Sequence, residues 1–566
     1  MKVLNIVAAV LLIVLASFFY YFVNQNAINV PFFDDFSYLK YVLDLQSAPN
    51  LPEFLRLLES KHNGHGVGLA KFVFWLTTLI EGQLNFRTLT LVGSLMVLGL
   101  VVYFGQIIRA NQLPFAYLLP VGLFLFTPAY YENVFWAAAL WQYTASFVMG
   151  VLTYYMLAKS TRWTLALAAF FGLLLTYTNG NGLLGMYVGA LIPLVQHRYK
   201  RTVGWLLACV VATAIYYYFP SGFSSENKPV SLVNILLTVV SFFGSAAYYL
   251  RGSMLDVAIF GGLCTFVLLG GLLGLGGIFL AQFWKKNKAE SFLRLFTDSN
   301  ANLSLLALLA WLALTGLAVA ITRTNDTIGT ALRYMIYSVM TFAGLYVAVL
   351  LVLPRRGRFV LGLAASALGV LFAVGTYLFA GPTVVNFRKS LQADAYSLRQ
   401  HRRLSGKLEL LLNPIMLNNF EQAINQKLYV IPTTLFDGID KLPADTSQIQ
   451  FKITNEIRAV YGGVWVDKIQ NADLSFDQNN PNNGVYVILK NQQSGRLYVN
   501  APVQSPNRNR RFFLQSGHFF NPGFEAQIYQ QNLPDGIYQI GVLYCNGTNQ
   551  RLVYGKQRLE IKEKRR

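Results

Sequence analysis

A chain of 566 residues with 54% hydrophobic and 13% charged side chains is too apolar for a soluble protein, where charged residues make up about 25%. Its net charge of +20 does not point to nucleic acid: the basic residues stand in short clusters between apolar runs, and no zinc-finger spacing or Arg-rich helix accompanies them. Three cysteines, Cys209 and Cys264 within apolar runs and Cys545 alone, exclude a disulfide framework and a thiolate metal site.

The first apolar run reaches to about Phe22, longer than the core of a signal peptide and without a small-x-small cleavage site. It predicts an uncleaved first transmembrane helix with a cytoplasmic N-terminus, which makes the polar stretch 24–66 extracytoplasmic. The next candidate, Gly68 to Ile80, is short, holds Lys71 and runs into Glu81, so it is expected to lie in the outer interface. Further apolar runs lie near 87–108, 113–129, 133–158, 162–178, 181–196, 203–219, 254–283, 301–321, 331–352 and 358–380. The segment 230–250 is expected to be interfacial or re-entrant, because counting it as a span would turn Lys285-Lys286-Asn287-Lys288 outward. With two non-crossing segments, Arg109, Lys159 with Arg162, the run His197 to Arg201, Lys285 to Lys288, and Arg355 with Arg356 and Arg358 all face the cytoplasm. The expectation is a polytopic α-helical membrane protein of about 11 spans in the cytoplasmic (inner) membrane, its C-terminus extracytoplasmic.

At about Pro382 the composition turns polar, which makes 1–382 the membrane domain. Residues 383–428 show helical spacing at Leu404, Leu408, Leu411 and Leu412 and predict a connector on the membrane surface. From 429 to 566 the text alternates as strands do, in Gly484 to Leu489, Arg496 to Val499 and Gly536 to Tyr544. Asn483-Gly484, Asp535-Gly536 and Asn546-Gly547 punctuate these runs, so the expectation is a small antiparallel β-sandwich outside the membrane.

Polar groups at the outer ends of spans are the candidates for chemistry, since charges there are costly to keep. Pro31-Phe32-Phe33-Asp34-Asp35-Phe36 sets two carboxylates among aromatics, a setting that raises proton affinity and suits a general base; the plainer reading is a wet loop anchored by its Phe rings. Glu132-Asn133 with Trp136, and then Trp141-Gln142, combine groups that bond and stack on a sugar, or form an interfacial aromatic belt. Thr178-Asn179-Gly180-Asn181-Gly182 offers close backbone approach or simply a tight turn. Arg323 and the pair Arg333-Tyr334 run against the charge bias of the outer side and suit phosphate, or else snorkel or pair with Asp326. His62 and His65, three apart, hold a metal only if Asp34 or Asp35 joins them, and otherwise form a plain polar pair. Serine-hydrolase elbows, phosphate-cradling glycine loops and the zinc helix motif are absent from the sequence.

The segment Pro31 to Tyr38 after the first helix, the interfacial helix in the first outer loop, the late Arg333-Tyr334 and the C-terminal domain together resemble the GT-C class of integral-membrane glycosyltransferases. That class includes protein O-mannosyltransferases and the aminoarabinose transferases of lipid A. The resemblance implies a donor sugar on a polyprenyl phosphate and a cell-envelope glycan, lipid or protein as acceptor, with the bilayer itself as a partner. It implies Asp34 as the base that deprotonates the acceptor hydroxyl. Asp35, where many relatives carry Glu, orients the acceptor or shares that role. Arg333 with Tyr334 and Arg323 would stabilise the departing phosphate, while Glu132, Asn133, Trp136, Gln142, Asn179, His62 and His65 would contact sugar or acceptor. No cofactor is required by these residues, and a divalent metal stays open. The alternatives are a polysaccharide polymerase or ligase, a transporter or flippase of lipid-linked sugars, and a non-catalytic assembly protein whose Tyr486, Tyr498, Phe512, Phe513, Phe519 and Phe520 stack on glycans.

Overall fold

The computed structural model describes residues 2–159, 161–218, 231–285, 299–323, 331–406, 414–446, 449–458, 464–474, 483–505, 520–547 and 549–562. Asp326, Lys286 to Lys288, Leu408, Leu411, Leu412, Phe512, Phe513 and Phe519 lie outside them. The chain divides into two compact units: Met1–Asn24, Tyr41–Leu76 and Leu89–Tyr377 form one, and Gln25–Lys40, Thr77–Thr88 and Leu378–Arg566 the other.

In chain order the helices begin with α1 (Lys2–Asn26), α2 (Asp35–Gln46) and α3 (Leu51–Glu59). A two-strand hairpin follows, β1 (Lys61–His62) and β2 (His65–Gly66), then α4 (Gly68–Glu81). Next come α5 (Phe86–Ala110), α6 (Phe115–Phe135), α7 (Ala137–Ala158), α8 (Arg162–Thr176), α9 (Gly182–Val195) and α10 (Tyr199–Tyr218). The later helices are α11 (Leu232–Arg251), α12 (Met254–Lys285), α13 (Asn300–Thr322), α14 (Leu332–Val352), α15 (Arg355–His401) and α16 (Pro414–Asn425).

Among the described residues seven helices are long and apolar enough to cross a bilayer: α1, α5, α11, α12, α13, α14 and α15. The bent pair α6 and α7, which turn by 117° at their break, makes an eighth if it counts as one span. This is fewer than the expected eleven, and two of the expected spans, α8 and α9, are short apolar helices. The 15 residues of α8 extend about 22 Å at 1.5 Å each, short of a hydrocarbon core of about 30 Å. The segment expected not to cross forms α11 and is one of the seven, whereas α4, with 14 residues, is not.

Hydrogen bonds in the first unit bring the segments that carry Arg109, Lys159 and Arg201 to one end. Asn111, two residues after Arg109, and Asn302 exchange side-chain bonds of 2.6 and 3.0 Å. Gln196 donates to the Ala158 carbonyl (2.9 Å), and Arg201 donates to that of Lys159 (3.2 Å). The turn from α14 into α15 belongs to the same end, since the Tyr346 hydroxyl bonds the Tyr117 carbonyl and Gly344 packs on Leu309. The opposite end joins β2 to the tops of α8 and α10: Gly66 N–H donates to the Tyr216 hydroxyl (3.2 Å), and Leu69 N–H to the Tyr177 carbonyl (3.1 Å).

Two glycines close the α11–α12 hairpin around Gly252, itself left-handed at φ 71°. A Cβ on Gly244 would lie 2.2 Å from the Val257 carbonyl oxygen, and one on Gly261 2.0 Å from that of Val240. The two backbones touch, as small residues permit between apolar helices.

The short α3 ends on a buried cation. Asn50 caps its start by accepting the Glu53 N–H, and Lys71, fully buried, caps its end by donating to Leu57 O (3.1 Å), Ser60 O (2.5 Å) and Ser60 Oγ (2.6 Å). Its ammonium also lies 4.2 Å from the Tyr41 ring centroid. Cation, carbonyl ends of the helix dipole and ring all attract. Lys71→Met keeps the volume but strands three acceptors, so it is expected to cost about 1–3 kcal/mol, measured as a lowered unfolding midpoint in detergent.

In the second unit α15 continues to His401 with Pro382 inside it. Its C-terminal part carries two sheets. One has the order β3 (Ala444–Thr446), β10 (Asn549–Ile561), β9 (Gly536–Asn546), β6 (Gly484–Asn491), β7 (Leu497–Asn500). The other has the order β4 (Lys452–Arg458), β5 (Val464–Asn471), β8 (Phe524–Tyr529). All pairs are antiparallel except β3 on β10, which is parallel. Val485, Val487, Leu489, Ile540 and Val542 meet Ile469, Ala526 and Ile528 between the sheets. On the other face of the large sheet, Tyr486, Ile488, Leu543 and Cys545 pack on Ala393 and Tyr396 of α15 and on Phe436. Both faces of β6 are therefore covered, which explains its nearly unbroken apolar run.

Candidate functional site

The acidic pair lies in the second unit, in a turn that starts α2. Asp35 is 1% exposed, and its Oδ2 accepts the Phe32 N–H at 3.0 Å, a carboxylate reaching back over the first turn of a helix. Asp34 is half-buried, and its backbone carbonyl accepts Ser37 N–H (2.8 Å) and Tyr38 N–H (3.2 Å). Phe33, between them and Phe32, is left-handed at φ 47°, a conformation that costs a bulky residue about 1 kcal/mol or more. Phe32 packs on Phe387 at 4.7 Å and joins Val30, Leu391 and Ala395, which fixes the turn. The two neighbouring carboxylates thus have different surroundings: Asp35 holds the turn and Asp34 is the more accessible.

The other candidates lie in the first unit, and several converge at the end opposite the basic clusters. Arg323, just past α13, donates from Nη1 to the Tyr334 hydroxyl (3.1 Å), and its Nη2 meets His65 Nε2 (3.1 Å). Both of these partners are neutral. Arg333 stacks on Tyr334, its guanidinium carbon 5.4 Å from the ring centroid. Glu132 lies in the field of the Arg333 guanidinium. Tyr143 meets Tyr334 edge to face at 5.7 Å.

Irregular backbone presents these groups. The chain breaks between α6 and α7 at Trp136, and residues Leu140–Thr144 form a π-helical turn. Non-helical backbone within a bundle occurs where polar groups line a protected site. Asn133 is fully buried, and neither atom of its amide has a hydrogen-bond partner among the described residues. Trp136 is buried as well.

His62 and His65 face each other across a two-residue turn, Asn63 and Gly64, both at positive φ. Their partners differ. His62 Nδ1 bonds the Tyr41 hydroxyl (2.9 Å) and its Nε2 the Asn63 amide (3.1 Å), so both ring nitrogens are used. Burial, aided by the Arg323 charge, pulls His65 down to about 4, so its ring is neutral at neutral pH. Among the described residues no group of three or more His, Cys, Asp or Glu side chains gathers as metal ligands.

The 178–182 turn is held both from within and by its neighbours. Asn179 Oδ1 accepts the Asn181 N–H (3.0 Å), and its Nδ2 donates to the Gln142 backbone carbonyl (3.3 Å), not to the Gln142 side chain. Asn181 reaches the Tyr337 hydroxyl at 2.9 Å. Gly182 has no room for a side chain, since a Cβ would lie 1.8 Å from the Leu175 carbonyl oxygen.

Tyr143 and Tyr41 have no sequence signal of their own, and Asn181 and Gly180 enter the sequence reading only as members of the 178–182 turn. The Asn-Gly step between two histidines is the one local signal that announces a hairpin placing residues 62 and 65 opposite each other. No protein-family model, curated protein or solved structure matches this chain.

Proposed function

We propose that this chain is a GT-C-like glycosyltransferase of the cytoplasmic membrane, moving a sugar from a polyprenyl-phosphate donor to a cell-envelope acceptor on the outer face. In this reading about eleven segments enter the bilayer, the basic end of the first unit faces the cytoplasm, and the sheets of the second unit are extracytoplasmic. The observation that carries it is the pair of arginines on one tyrosine at the end lacking basic clusters. Among the described residues Arg323 bonds the Tyr334 hydroxyl and the His65 ring and no carboxylate, which supports reading its charge as directed to a ligand. Two guanidinium groups that share one tyrosine suit a phosphate, and a bundle in lipid suits a phosphate with a polyprenyl tail. Asp34 supplies the base and Arg323 with Arg333 the stabilisation of the leaving phosphate.

The test is binding of a prenyl phosphate, such as farnesyl phosphate, to the detergent-solubilised protein by calorimetry. Arg323→Gln and Arg333→Gln are each expected to weaken binding about tenfold or more, with melting temperatures close to the parent. Unchanged affinity in both variants would remove the phosphate site. Transport of a lipid-linked sugar across sealed vesicles without covalent change would replace the transferase by a flippase.

A further inference from the structure

The geometry points to His65 as a positioning residue, which orients the Arg323 guanidinium for an anion without cancelling its charge. This rests on the reading of Arg323 as part of a phosphate site and adds how that site is kept ready.

A guanidinium has five N–H donors in one plane. Two bonds from different nitrogens, one to His65 Nε2 and one to the Tyr334 hydroxyl, fix that plane, and among the described residues they leave three donors. A carboxylate in the place of His65 would fix the plane equally well and neutralise the cation, removing the attraction for phosphate. A neutral imidazole accepts the bond and leaves the charge intact. His65 meets that condition, since burial and Arg323 itself both disfavour its protonation. The charged and titratable groups around it are Arg323, and Lys61 and His62 of its own hairpin.

The turn from α8 to α9 supports the ring from behind. A Cβ on Gly180 would lie 2.6 Å from His65 Nδ1 and 2.8 Å from its Cε1, closer than real contacts allow. Glycine at 180 thus makes room for the imidazole that reaches Arg323. This accounts for one glycine of the Asn-Gly-Asn-Gly turn by the space it leaves rather than by its backbone angles.

The experiment uses the full-length protein in detergent, with farnesyl phosphate as probe and thermal unfolding followed in parallel. His65→Gln, a neutral acceptor, is expected to bind within about threefold of the parent, and His65→Ala about tenfold more weakly. His65→Glu restores an acceptor yet is expected to lose at least about tenfold, because it neutralises Arg323. Gly180→Ala, which displaces the ring and changes no charge, should behave as His65→Ala does. A purely structural His65 would instead rank the variants by melting temperature. Parent-like affinity in His65→Glu overturns the inference, as does parent-like affinity in Gly180→Ala should His65→Glu fail to fold. Absence of binding to the parent protein itself would instead overturn the phosphate-site reading beneath it.

Discussion

Asp34→Asn is expected to lower sugar transfer by about 10²-fold or more while leaving insertion, melting temperature and farnesyl phosphate binding unchanged. Asparagine keeps the shape of the carboxylate but cannot take a proton from an acceptor hydroxyl. Its neighbour should respond in the opposite way. Asp35 is buried and spends Oδ2 on the Phe32 N–H, so Asp35→Ala leaves a backbone donor without its cap. The expected cost is about 1–2 kcal/mol of stability. Measuring transfer from a polyprenyl-phosphate sugar in proteoliposomes, alongside unfolding, separates the two. Full transfer by Asp34→Asn would remove it as the base.

The second large effect concerns packing. Gly261→Ala places a methyl group 2.0 Å from the Val240 carbonyl oxygen, and neither backbone has a flexible end that can yield. The helices must separate, at an expected cost of about 3 kcal/mol. The control is next in the chain. Gly262 meets nothing within 4 Å, so Gly262→Ala should be neutral or raise stability by up to about 1 kcal/mol through helix propensity. Equal melting temperatures for the two variants would contradict the close approach of α11 and α12.

Much of the architecture follows from patterns that one segment carries alone. The apolar runs of α1, α13 and α14 read directly as membrane helices, and Gly536 to Tyr544 reads as a strand. Patterns that need a partner were less legible. The segment 230–250 is expected not to cross because a crossing there would turn Lys285 outward, yet it forms an apolar helix whose Gly244 touches the α12 backbone, where a small residue is an advantage. The break at Trp136 has neither Pro nor Gly to announce it. The candidate residues show the same division. Arg323, His65 and Tyr334 each stand out for composition, but the bond between positions 65 and 323 spans 258 residues and leaves no local trace. Asn179 stood out too, and its amide is spent within its own turn and on a backbone carbonyl. Asp34 and Asp35 are identical in composition, and the turn geometry is what gives them unlike surroundings.

The large sheet of the second unit has one face on the small sheet and the other on α15 and the Phe436 segment. A strand region covered on one side by a helix that begins at Arg355 is not a detachable cassette. Recombination that lifted β3–β10 into another gene without residues 391–401 would deliver a sheet with Tyr486, Ile488 and Leu543 bare to water. Such a product would expose an apolar face and aggregate. The strands and the last turns of α15 are therefore one folding unit, and a fragment that keeps β3–β10 has to begin upstream of Ala393.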